Sequence, residues 1–165
     1  MTLQTFTALA EIVNALAVTA TLIVLVVSIR QNIKAQRVLA VDALAASVTA
    51  INVSAMSDSK LGFALQKALA DWNSASREER ATAHFFLISY FKLAENGWYQ
   101  YRAGTLEPGQ WEGWDKLITA YYHAPGVQNV WWPARGHAYS PAFREYLANS
   151  KPPTDIGRLT DIFGS

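Results

Sequence analysis

Cysteine is absent from this 165-residue chain, so no disulfide framework, thiolate metal site or cysteine nucleophile is available. Neither glycine nor proline occurs before Gly62, so nothing ahead of that position breaks a helix. No lysine or arginine precedes Arg30. A secretory signal peptide needs a positive n-region, and no small-x-small cleavage pattern follows the apolar run, so that reading fits poorly. Charged residues make up only 16% of the chain and the net charge is +1. No basic stripe interleaves with aromatics, which argues against a nucleic-acid partner.

What the chain does have is an apolar run. Ile12 to Ile29 reads IVNALAVTATLIVLVVSI, eighteen residues without a charge. As a helix it spans roughly 27 Å, close to the ~30 Å hydrocarbon core of a bilayer. A buried core helix is the competing reading, and Asn14 lowers the hydropathy, but a run this rich in Val, Leu and Ile points to a membrane span. Arg30, Lys34 and Arg37 follow it directly. By the positive-inside rule they place the N-terminus outside and the remainder in the cytoplasm. The expected location is the cell inner membrane, as a single-pass protein in contact with membrane lipid.

One face of that helix is unlike lipid-facing surface. Ala10, Asn14, Ala17, Thr21, Val24 and Ser28 recur at helical spacing and form a stripe of small and polar side chains. Small residues let two backbones approach, and Asn, Thr and Ser can bond to a neighbouring helix. The expectation is a contact with other transmembrane protein or with a second copy. The plainer alternative is a scatter of weakly polar residues whose hydroxyls bond their own backbone.

The boundaries expected are 1–32 for the anchor, 33–57 for a juxtamembrane helix and 58–165 for a cytoplasmic helical domain, long enough to bury a core without staples. Val41, Leu44, Val48, Ile51 and Ala55 form an apolar seam. Asp58 can cap a second helix over residues 61–72. Ser76 followed by Glu79 is a capping box, and it opens a long helix that Gly104 can close as a left-handed cap. Pro108 lies near the start of the next helix, with Trp111, Trp114, Leu117, Ile118 and Tyr121 expected to face inward. Residues 127–132 make a short element ending before Pro133, followed by a loop. Ser140-Pro141 starts a short helix, and Ile156, Leu159, Ile162 and Phe163 in the tail can dock. No useful strand alternation is present. The fold class is all-α: an N-terminal transmembrane helix continuing into a small helical bundle.

Signals for chemistry are sparse. His84, His123 and His137 are the only histidines, with no Glu-x-x-His or His-x-x-x-His pair to suggest a metal. No Gly-x-Ser-x-Gly elbow and no glycine-rich phosphate loop occur. Glu95 and Arg102 share a helix face and suit a structural ion pair or hydrogen bond better than catalysis. The best set for a ligand pocket is Trp131, Trp132, Arg135 and His137, with Tyr121, Tyr122 and His123 nearby. Arg would anchor an anion and Trp would form the wall. The stronger alternative is that these rings fill the core. No cofactor and no metal is expected.

Three segments carry a family likeness: Ile29-Arg30-Gln31-Asn32 at the exit from the span, the block ENGWYQYRAGTLEPGQWEGW from Glu95 to Trp114, and the Trp-Trp…Ser-Pro-Ala-Phe-Arg segment over residues 131–144. In these the chain resembles a family of bacterial single-span membrane proteins with a cytoplasmic helical domain. The resemblance implies the tethered helical architecture and brings no activity or site residues. The resulting expectation is a non-catalytic accessory or interaction subunit that packs on a larger membrane protein complex. The alternative is a membrane-tethered ligand sensor or enzyme using the Trp131–His137 region.

Overall fold

The computed structural model describes residues 3–57 and 59–154, and of residues 3, 5, 6, 8–10, 52, 54–57 and 59 the backbone alone. The expected cap at Asp58, the side chains of Ala10 and Ala55, and the docking residues Ile156, Leu159, Ile162 and Phe163 lie outside the described residues. The described residues are all-α, with no strand among them. Helix α1 covers Leu3–Ser57, α2 Ser59–Ala70, α3 Arg77–Arg102, α4 Pro108–Tyr122, α5 Trp132–Arg135 and α6 Pro141–Ala148. The chain divides into two compact units, residues 1–39 and 40–165.

The first unit lies on α1, whose length follows from the missing glycine and proline. Part of α1 is long and apolar enough to cross a membrane. Ile12, Leu16, Leu22, Ile23 and Leu25 are all exposed on it. The Thr19 and Thr21 hydroxyls donate to the carbonyls of Ala15 and Ala17, both at 2.8 Å. Bonding back to the preceding turn removes the cost of an unpaired hydroxyl in an apolar helix.

The second unit is a helical bundle built on α3. Its N-terminus is the expected capping box: the Glu79 N–H donates to Ser76 Oγ at 3.1 Å, and the Ser76 N–H donates to Glu79 Oε2 at 2.6 Å. Its C-terminus turns at Gly104, at φ +72°. A side chain is strained there, which is why glycine closes the helix. Leu87, Phe91 and Ala94 are wholly buried, and Phe91 stacks on Trp131 with ring centroids 5.6 Å apart. Leu44 of the α1 seam is buried in the same core, with Val41 packed against it.

Helix α4 turns its Trp111, Ile118, Thr119 and Tyr122 side to the core. Trp114 and Tyr121 are half-buried, while Leu117, expected inside, is 48% exposed. The phase of a 3.6-residue helix explains this: residues 111, 115, 118 and 122 share one face, and 110, 114, 117 and 121 the next. The expected stop before Pro133 does not occur. A π-helical turn at Val127–Trp131 runs into α5, which holds Pro133 in its first turn. A 3₁₀ turn at Gly136–Ala138 follows instead of an open loop.

Helix α6 is fixed at its start by α3. The Ser140 N–H donates to Glu95 Oε1 at 2.7 Å, and Tyr99 donates to Ser140 Oγ at 2.9 Å. Lys92 pairs with Glu95 at 3.0 Å and donates to the Ala138 carbonyl at 2.6 Å. Glu95 is thus bonded by Lys92 and Ser140. Arg102 instead lies over the Trp98 ring at 5.1 Å.

Candidate functional site

The helical unit carries an apolar groove. Val48 and Ile51 of α1 supply one wall. Phe86, Tyr90 and Leu93 of α3 supply the floor, and Gln110, Gly113, Trp114, Leu117 and Tyr121 of α4 complete it. The cavity measures about 590 Å³, within the ~300–1,000 Å³ range of small-molecule sites. A second cavity of about 510 Å³ adjoins it, sharing Ile51 and Phe86 and extending towards Leu61, Thr82 and the 71%-exposed Phe85.

The groove follows from three helical repeats. Phe86, Tyr90 and Leu93 succeed one another by four and three along α3, beside the core face. Gln110, Trp114, Leu117 and Tyr121 do the same on α4. Gly113 keeps the rim low, since a Cβ added there would meet nothing within 4 Å.

The chemistry of the lining is aromatic and uncharged. The rings of Tyr90 and Tyr121 lie side by side with centroids 4.4 Å apart, and Phe86 stacks on Tyr90 at 5.9 Å. The Tyr90 hydroxyl is buried and has no hydrogen-bond partner among the described residues. No hydrogen bond to the Tyr121 hydroxyl is found among them either. Burial pushes the Tyr90 phenol well above its ordinary value, with Tyr121 and Tyr146 adding to the shift. Burial also raises Tyr121. Both groups stay protonated at neutral pH.

The sequence-expected pocket residues are distributed differently. Trp131 is a core residue, 2% exposed, and its indole N–H donates to His84 Nδ1 at 3.1 Å. Trp132 stacks on Tyr139 at 5.1 Å and meets the edge of Tyr122 at 5.3 Å. Arg135 and His137 are exposed. His123 contacts Ser150 Oγ at 3.0 Å and Gln128 at 3.3 Å. Tyr121 belongs to the groove, on another face of α4 from Tyr122. Trp114 and Tyr121, expected to face inward, line the groove together with Phe86, Tyr90 and Leu93. The signal was the second apolar face on each of α3 and α4, which a helix buried on one side does not need.

On the first unit, helical register sets Asn14, Ala17, Thr21, Val24 and Ser28 along one face, and all five are exposed. No hydrogen bond to the Asn14 amide is found among the described residues. No group of three metal-ligating side chains gathers among the described residues. No protein-family model, curated protein or solved structure matches the chain. The fold itself defines an all-α chain in which one helix is long and apolar enough to cross a membrane.

Proposed function

We propose that this protein is a non-catalytic, membrane-anchored accessory subunit. Its single span packs on the helices of a larger membrane protein through Asn14, Ala17, Thr21 and Ser28, and its helical domain serves as the cytoplasmic interaction module. The single observation behind this reading is Asn14, an exposed carboxamide near the N-terminal end of the apolar run, with no hydrogen-bond partner among the described residues. An amide in hydrocarbon is costly until it is hydrogen-bonded, and a neighbouring transmembrane helix supplies the partner. Arg30, Lys34 and Arg37 support a cytoplasmic domain and an outside N-terminus in the inner membrane.

The test is gentle detergent extraction of the tagged native chain, followed by sizing and mass spectrometry. The expected result is a stoichiometric membrane complex that Asn14→Leu dissociates. Recovery of the wild-type chain as a lone monomer overturns the reading.

A further inference from the structure

We infer that the groove formed by α3, α4 and the Val48–Ile51 turn of α1 binds a neutral, largely hydrocarbon molecule with a flat ring and a carbonyl oxygen, which accepts a hydrogen bond from the Tyr121 phenol. This goes beyond the subunit role and does not rest on it.

Three observations carry the inference. The first is shape: the cavity of about 590 Å³ suits a drug-sized ligand. Its aromatic walls, Phe86 and Tyr90 on α3 and Trp114 and Tyr121 on α4, suit a planar ring through stacked or edge contacts. The second is charge. No Lys, Arg, Asp or Glu is among the described residues lining it. An anion or cation entering it would lose its hydration with no opposite charge in return, whereas a neutral molecule pays no such penalty.

The third is the hydroxyls. Two phenols stand together in the wall, with ring centroids 4.4 Å apart. The Tyr90 hydroxyl is buried and closed off by its surroundings. The Tyr121 hydroxyl has no hydrogen bond among the described residues, and it is the one that an entering acceptor can meet. A phenol is protonated at neutral pH and can donate, and burial raises Tyr121 further. A carbonyl oxygen is a neutral group that accepts this bond and brings no unpaired donor of its own.

The full chain in detergent tests this with prodan, a neutral naphthyl ketone whose emission reports hydrogen bonding to its carbonyl. Energy transfer from tryptophan, Trp114 being in the wall, reads binding above the level of protein-free micelles. Saturable transfer is expected in the wild type. Gly113→Leu fills the open rim on a helix that tolerates the change, and should abolish it. The double variant Tyr90→Phe, Tyr121→Phe should weaken binding by about tenfold, the loss of one hydrogen bond, and shift the bound emission to the blue. The inference is overturned if no saturable transfer occurs or if Gly113→Leu binds as the wild type does. It is equally overturned if the double variant binds unchanged, or if the anion anilinonaphthalene sulfonate binds the groove more tightly than prodan.

Discussion

Replacing Gly126 by alanine adds one methyl group where three backbone atoms already stand. The new Cβ would lie 1.8 Å from the Ala68 carbonyl oxygen, and 3.0 Å from both the Ala68 carbonyl carbon and the Trp72 nitrogen. No rotamer relieves this, because every clashing atom is main chain. The end of α2 or the turn after α4 must move by well over an ångström. Ala68 and Val127 are wholly buried, so the movement disturbs the core. Overpacking costs ~1–3 kcal/mol where side chains can adjust, so about 3 kcal/mol is the expected loss here. For a chain of this size that lowers Tm by roughly 10 °C. Tryptophan fluorescence during thermal unfolding is the assay, since all six tryptophans lie between Trp72 and Trp132 and report the helical unit alone. Gly113→Ala is the control: the same methyl enters open space on a helix and should stabilise by about 0.5–1 kcal/mol. If Gly126→Ala melts within 3 °C of the wild type while the control rises, the close approach of the turn to α2 is wrong.

Other substitutions probe the polar contacts. Tyr90→Phe removes a buried hydroxyl that has no partner among the described residues and should stabilise the ligand-free protein by about 1 kcal/mol in denaturant titration; destabilisation would mean the hydroxyl is satisfied. Burial lowers the His84 pKa, Arg135 adding to the effect, and burial lowers His123 despite bonds from Ser150 and Gln128. The folded state then holds these protons less tightly than the unfolded one. The stability they contribute is complete above the unfolded value of ~6.5 and declines as pH falls below it. In urea titrations across that window, His84→Asn, which keeps an acceptor for Trp131, should flatten the decline, and an unchanged slope would exclude His84 as its source. Glu95→Ala removes the acceptor at the start of α6 and should cost about 1–3 kcal/mol. Hydrogen exchange checks this, with protection lost first in residues 141–148.

The legible parts of the fold are those set by local chemistry. Ser76 with Glu79, Gly104, Pro108 and Ser140-Pro141 mark helix ends because their side chains or φ preferences act within one turn. The unbroken α1 was legible from absence alone. The boundary at Pro133 was misread because the π-helical turn at Val127–Trp131 runs straight into α5 with Pro133 in its first turn. The groove was harder to see. Its residues lie on a second face of α3 and α4, and a single sequence does not reveal whether the next helix covers such a face. Nor does it reveal that Trp131 finds His84, a partner 47 residues away, which turns a possible ligand wall into core.

In this bundle the elements in most extensive contact are consecutive in the chain: α2 with α3, α3 with α4, then α4, the π turn and α5 in succession. Such local connectivity closes short loops and favours rapid folding. During synthesis α1 emerges first, and each later helix finds its neighbour already made. One latch must wait. Glu95 and Lys92 are in place early, but the Ser140 amide and the Ala138 carbonyl they hold arrive some forty-five residues later. Until then a carboxylate and an ammonium near the centre of α3 have only each other, and the nascent bundle is open on the side that α6 will cover.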